Sequence, residues 1–250
     1  MTGRLVVVGL GPGDPGLQAP NATAALAAAT DLVGYGPYLR RVPVQPGQVP
    51  HASDNREEMS RARRALELAA AGRRVAVVSS GDAGVFAMAS AVFEAIEAGG
   101  QSFLGIDVEV IPGISAVLAV AARLGAPLGH DFCAISLSDN LKPWSLVERR
   151  LFAAAEAGFV IALYNPISKA RPWQLGAAFE LLRGVLPAQT AVAFASAVSR
   201  AEERVEVASL RDADPSQADM STLVLIGSRA TRRIDRPDGG TWLYTPRRAE

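Results

Sequence analysis

The chain has 250 residues, 49% of them hydrophobic and 20% charged, which is enough for one large α/β domain or two small ones. Its 25 basic and 25 acidic side chains cancel, so no global field favours nucleic acid or an anionic membrane, and the single cysteine, Cys133, excludes an intrachain disulfide and a cysteine-rich metal site. No apolar run reaches the ~18 residues of a membrane span and no basic leader precedes the first strand pattern, so the expectation is a soluble, cytoplasmic protein without membrane, nucleic-acid or metal partners.

In chain order, short apolar runs alternate with alanine-rich helical stretches. LVVVGL at 5–10 is followed by a helix near 20–29, LVGY at 32–35 by a helix near 56–71, RVAVVSS at 74–80 by a helix near 85–98, and VEVIP at 108–112 by a helix near 114–124. Runs that are continuously apolar rather than alternating belong to a sheet buried on both faces, as parallel sheets are, so residues 1–126 are predicted to form a doubly wound parallel α/β domain. LGAPLGHD at 124–131 concentrates Gly and Pro and marks the boundary. Beyond it CAISLS, FVIALY, TAVAFAS, RVEVASL and STLVLIGS form a second strand set with fewer, longer helices. RVEVASL alternates, so residues 127–250 are predicted to carry a mixed sheet. The tail from Arg229, rich in Arg, Pro and Gly, reads as an irregular strap with one short strand at Thr241 to Tyr244.

Ligands of an open parallel sheet bind beyond the carboxyl ends of its strands. Four unusual loops fall at such ends: GPGDPG at 11–16, SSGDAGVF at 79–86, PGISA at 112–116 and LYNP at 163–166. The first matches G-x-G-x-x-G at Gly11, Gly13 and Gly16, a pattern shared with dinucleotide-binding folds. Pro12 and Pro15 remove amides that a pyrophosphate cradle needs, and Asp31 precedes its apolar run where a ribose-binding acid follows one. A proline-stiffened turn and a ligand loop both satisfy the pattern. Asp82 reads as a helix N-cap or as a ligand contact, Ser115 as a helix-entry residue, and Asn165 offers donors and an acceptor directly after a strand.

In order and spacing these four loops resemble the S-adenosylmethionine-dependent methyltransferases that act on tetrapyrroles, with diphthine synthase as a cousin, over essentially the whole chain. The resemblance implies a two-domain fold with the methyl donor folded in the interdomain cleft. It implies donor contacts at Leu10, Asp82, Val85, Ser115, Ala116, Tyr164, Asn165, Ala197, Ser221 and Thr222, and it turns the proline-rich loop, Pro12, Gly13 and Asp14, toward the substrate. LVGYGPYL at 32–39, ISLSDNLKPWSLVERRL at 135–151 and FVIALYNPISKARPWQL at 159–175 narrow the resemblance to the branch that methylates C-17 of precorrin-3B in cobalamin biosynthesis. That branch implies S-adenosylmethionine as donor, S-adenosylhomocysteine as product, ring contraction to precorrin-4, and a homodimer. Asn140 and Lys142 depart from the apolar or hydroxyl residues expected at the loop tip.

Methyl transfer from a sulfonium needs alignment rather than a metal or a covalent nucleophile, whereas ring contraction needs a base for the substrate hydroxyl. Asp139 is assigned that role, with Asp82, His130 and Asp14 as the other candidates. Ser136, Ser138 and Trp144 are expected to contact substrate, and Trp144 and Trp173 either wall the macrocycle or pack helix starts. His130 reads as a surface or backbone-bonded histidine in a turn, His51 as surface, and Cys133 as a small core residue. The substrate's carboxylates call for cations, and Arg40, Arg41, Arg149, Arg150, Lys169 and Arg171 flank the motifs, though most fit a solvated face. The competing readings are another methyltransferase of the same pathway, a nicotinamide-dependent reductase, and a non-catalytic tetrapyrrole carrier.

Overall fold

The computed structural model describes residues 3–248, and contacts divide them into two units, one ending at Ala116 and one starting at Val117. The first unit is built on strands β1 (Arg4–Gly9), β2 (Asp31–Tyr35), β3 (Val49–Ser53), β4 (Arg74–Ser79) and β5 (Asp107–Ile111), in the order β3-β2-β4-β1-β5. Every pair is parallel, with Val6 opposite Ala76 and Glu109. Alternate residues of one strand face opposite sides of a sheet, and here both sides are covered. Leu5 and Val7 pack with Ala62 and Leu66 of helix α3 (Glu58–Ala70) and Val92 of α4 (Met88–Gly99). Val6 and Val8 pack with Ala22 and Leu26 of α1 (Pro20–Ala28) and Leu39 of the short α2 (Gly36–Leu39). This two-sided burial explains why the strands read as unbroken apolar runs.

Two elements of this unit were not predicted, α2 and β3. The β3 sequence VPHAS contains Pro50, which costs nothing at an edge where no neighbour awaits the missing amide, and β3 pairs only with β2. Helix α4 starts three residues later than the pattern suggested, at Met88, because Phe86 has φ +51° and Ala87 is extended.

The second unit holds a five-stranded sheet of β7 (Phe132–Ser136), β8 (Val160–Tyr164), β9 (Ala191–Ser196), β10 (Arg204–Ser209) and β11 (Thr222–Ile226), in the order β10-β9-β11-β8-β7. β7 and β8 are parallel and the other pairs antiparallel, so the sheet is mixed as expected. Helices α6 (Trp144–Glu156) and α7 (Gln174–Arg183) pack Val147, Leu151, Leu175, Phe179 and Leu182 against Ile135, Ile161, Leu163 and Phe194. These helices are fewer than in the first unit, but at 13 and 10 residues they are not longer.

The tail corrects the predicted strap. β12 (Arg232–Asp235) and β13 (Thr241–Tyr244) form a hairpin whose turn uses Gly239 at φ +84°, and β13 pairs in parallel with β6 (Gly125–Ala126). That pairing, with Thr245 N donating to Ala126 O at 3.0 Å, ties the Gly- and Pro-rich segment to the second unit. The division by contacts therefore falls ten residues before the predicted boundary at 126/127, inside the segment Ala116–Leu124 that forms helix α5.

Candidate active site

Three of the four loops meet at the carboxyl ends of β1, β4 and β5. Gly11 and Gly81 exchange two backbone hydrogen bonds, each 3.0 Å long, forming an isolated antiparallel bridge between GPGDPG and SSGDAG. Gly9 and Gly113 are in closer contact still. A Cβ on Gly113 would lie 2.3 Å from Gly81 O, and one on Gly9 would lie 2.7 Å from Gly113 N, so only bare backbone fits there.

Asp82 locks the third loop. Its Oδ1 accepts from Gly84 N at 2.7 Å and its Oδ2 from Gly113 N at 3.0 Å. It is not the cap of α4, whose N-cap is Ala87. Both oxygens are spent on backbone amides, so Asp82 acts as a staple between the loops. Arg41 adds a second tie, donating to Ser80 Oγ at 2.9 Å and to Gly11 O at 3.1 Å. Leu10 and Ser115 are buried beside these loops, while Val85 is half-buried and adjoins the left-handed Phe86. Pro12 is buried, Gly13 half-buried and Asp14 exposed, and Asp14 accepts from Gly16 N at 2.8 Å to cap the short turn Pro15–Leu17.

The dinucleotide reading fails on this geometry. Gly11 N is spent on Gly81, Gly16 N on Asp14, and Leu17 N on Asp14 O, while Pro12 and Pro15 have no amide to give. Asp31 sits at the amino end of β2, buried, and binds Arg73 at 2.7 Å and His51 at 2.9 Å. His51 is therefore a half-buried hydrogen-bond partner of Asp31 rather than the surface residue predicted. A recess of the first unit lies toward that amino end of the sheet, lined by Arg4, Asn21, Arg74 and Glu109, away from the glycine loops.

In the second unit Asn165 follows β8 with φ +52°, a left-handed position that asparagine tolerates better than most residues. Its Nδ2 donates to the buried Ser136 Oγ at 3.0 Å, which also accepts from Ser138 N at 3.3 Å. Its carbonyl accepts from Arg171 Nη1 at 3.0 Å. Tyr164 Oη accepts from Val117 N at 3.0 Å. Ala197, after β9, is also left-handed, at φ +53°, and lies in the loop between β9 and β10. An open recess beside it is bordered by Ser196, Arg204, Asp219 and Ser221. Ser221 and Thr222 both donate hydroxyl protons to Asp219 Oδ1, at 2.7 and 2.8 Å. Burial raises the Asp219 carboxyl, but these bonds outweigh it and hold the group below its ordinary range. Among the described residues five non-glycine residues have positive φ, and four of them (Phe86, Asn165, Ala197 and Ser199) lie in or beside predicted donor loops. Strain of this kind gathers at ligand sites.

Asp139 is half-buried, and both of its oxygens accept from Gln174 Nε2, at 3.1 and 3.2 Å. Trp144 packs against the core and meets Trp173 edge to face at 4.9 Å, leaving Trp173, 49% exposed, with the freer ring. His130 Nδ1 accepts from Asp131 N at 2.8 Å, the backbone-bonded one of the two roles expected of it. Among the flanking cations Arg40, Arg149, Arg150 and Lys169 are exposed, whereas Arg171 is buried. Burial and the charges of Arg150 and Arg171 push the Lys142 ammonium down, against the pull of Asp139.

Residues 4–214 match the tetrapyrrole (corrin/porphyrin) methylases. The chain belongs to that family. It is 59% identical over 99% of its length to a precorrin-3B C(17)-methyltransferase of a Sinorhizobium species, covering 97% of that protein. It is 50% identical over 99% of its length to the cobalamin biosynthesis protein CobIJ of Mycobacterium bovis, of which it spans about half, 49%. A crystal structure of the methyltransferase CobJ superposes with a TM-score of 0.93 at 54% identity, covering 98% of this chain and all of that one. The tetrapyrrole methylase fold accounts for the parallel and mixed sheets, and with it the reductase reading is set aside.

Three polar residues at these loops escaped the sequence reading: Arg41 as a loop tie, Asp219 beneath Ser221 and Thr222, and Gln174 behind Asp139. Gln174 stands in the quoted RPWQL stretch, and a buried amide at the first turn of an otherwise apolar helix face was the available signal.

Proposed function

We propose that this protein is a precorrin-3B C(17)-methyltransferase that transfers a methyl group from S-adenosylmethionine to C-17 and contracts the ring to precorrin-4. The observation that carries this reading is the end-to-end likeness to a curated enzyme of that name. The locked glycine loops support it, since they give a rigid backbone surface at the ligand edge of the first sheet.

The donor supplies a methyl group on sulfonium sulfur, an electrophile that needs no metal. In the first unit Leu10, Asp82, Val85, Ser115 and Ala116 serve the donor, with Asp82 acting by holding Gly84 and Gly113 in place. In the second, Tyr164, Asn165, Ala197, Ser221 and Thr222 serve it, on backbone fixed by two left-handed residues and by Asp219. Pro12, Gly13, Asp14, Ser136, Ser138 and Trp144 contact the macrocycle. Asp139 is the base that accepts the hydroxyl proton during contraction, while Lys142, Arg150 and Arg171 place positive charge where carboxylate substituents need it. The enzyme works as a cytoplasmic homodimer.

Mass spectrometry and NMR of the product from precorrin-3B and S-adenosylmethionine test the reaction. A methylated, contracted product is expected, and methylation at another ring position would replace this assignment with a sister enzyme of the pathway. Asp139→Asn keeps the size and removes the base. Turnover should fall by ~10²–10⁴-fold with S-adenosylhomocysteine affinity unchanged, and wild-type turnover would eliminate Asp139. A monomer mass by light scattering at micromolar concentration would eliminate the dimer.

A further inference from the structure

Gln174 opens α7, where a polar side chain ordinarily faces water, yet it is only 1% exposed. Its Nε2 reaches both oxygens of Asp139 across 35 positions of sequence, at 3.1 and 3.2 Å. Its Oε1 is buried without a hydrogen-bond partner. An orphaned amide oxygen in the interior is destabilising, and methionine, apolar and of the same length, would not carry that cost. Packing therefore does not explain the amide. At 1% exposure it does not reach a bound macrocycle either, so whatever it does passes through Asp139.

We propose that Gln174 is the positioning residue of Asp139 and that its amide follows the proton. This rests on the assignment of Asp139 as the base. While Asp139 is a carboxylate, the two N–H···O contacts fix its plane. When the substrate hydroxyl O–H bond breaks, its electron pair stays on the substrate oxygen and the proton forms an O–H bond on Asp139. The amide then turns over, and the orphaned Oε1 accepts from the new carboxyl. A side chain with a donor at one end and an acceptor at the other serves both states, whereas a lysine or arginine would favour only the charged one. Lys142, Arg150 and Arg171 already supply positive charge to this cluster, so the contribution of Gln174 is orientation.

The test compares Gln174→Met, Asp139→Asn and the double variant, reading kcat with precorrin-3B, S-adenosylhomocysteine affinity by calorimetry, and the thermal midpoint. Gln174→Met should lower kcat by ~10–100-fold, the scale of losing a group that orients a reacting residue. Donor affinity should hold, the midpoint should hold or rise, and in the Asp139→Asn background the substitution should cost nothing further. Wild-type kcat in Gln174→Met overturns the inference, as does an equal loss in both backgrounds or a joint loss of kcat, midpoint and donor affinity. Should Gln174→Met fail to fold, the isosteric Gln174→Glu is read in the same two backgrounds, with loss expected only where Asp139 is present. If Asp139→Asn alone keeps wild-type turnover, the base assignment has failed and the positioning role falls with it.

Discussion

Asp82 tests whether the three glycine loops act as one ligand-holding unit. Its two acceptor bonds are unequal: Gly84 N is exposed and finds water when released, whereas Gly113 N is partly buried. Asparagine has one acceptor oxygen, which will turn to Gly113 and give up Gly84. Exchanging a charged acceptor for a neutral one and returning one exposed amide to water costs ~1–1.5 kcal/mol. Alanine strands the Gly113 amide, and losing a charge-assisted bond to a partly buried donor costs ~1.5–3 kcal/mol. Since ~1.4 kcal/mol is a factor of ten in an equilibrium constant, calorimetry with S-adenosylhomocysteine should show Asp82→Asn weakened up to about tenfold and Asp82→Ala by ~10–100-fold, and urea midpoints should fall in the same order. Equal effects of the two substitutions would mean that charge, not acceptor geometry, matters. Wild-type affinity and midpoint in Asp82→Ala would refute the staple.

Two further outcomes follow from the first-unit ion pair and the lone thiol. Burial raises the Asp31 carboxyl, but hydrogen bonds from Arg73, His51 and Thr30, aided by the Arg73 charge, outweigh it and hold the group at about 2 against an ordinary 3.8. A depressed carboxylate stabilises the fold above its unfolded value, and that contribution disappears as pH falls from ~4 toward ~2. After discounting for the half-exposed Arg73 it is worth ~1–2 kcal/mol. Asp31→Asn should flatten the dependence of the urea midpoint on pH in that window, and an unchanged slope would remove Asp31 from the acid response. Burial pushes the Cys133 thiol up to about 11, so iodoacetamide at pH 8 should label the native protein roughly a hundredfold more slowly than a free cysteine. Labelling at the free rate would show the thiol open to solvent.

What the sequence disclosed depends on which forces write locally. Strands β1, β4 and β11 were legible because two covered faces demand apolar side chains along most of their length. The edge strand VPHAS and the hairpin strand RRID carry no such demand. VPHAS is strand because β2 offers a partner and Asp31 draws in His51, and RRID because β13 does. Both are exposed or half-buried along their lengths, so composition there reports solvent. The Gly- and Pro-rich segment hides its partner similarly, since Gly125 and Ala126 form a strand only when β13 arrives more than a hundred positions later.

The site divides along the same line. Loops announce themselves because left-handed turns and close backbone approach select Gly, Pro and Asn, so Gly11, Gly81, Gly113 and Asn165 stood out in the sequence and take such backbone positions in the structure. Their ties are different in kind. Arg41 to Gly11 and Ser80, Asp82 to Gly113, and Gln174 to Asp139 each join positions about thirty or more residues apart through a side chain that any surface could carry. No periodicity marks such a residue. Asp82 could be singled out as a polar group at a strand end, but whether it caps a helix, meets a ligand or staples a loop is decided by what the fold places 3.0 Å from its second oxygen. The same holds at Asp139, a loop residue whose two oxygens meet Gln174 at the start of α7, 35 positions away and unnamed by the local sequence.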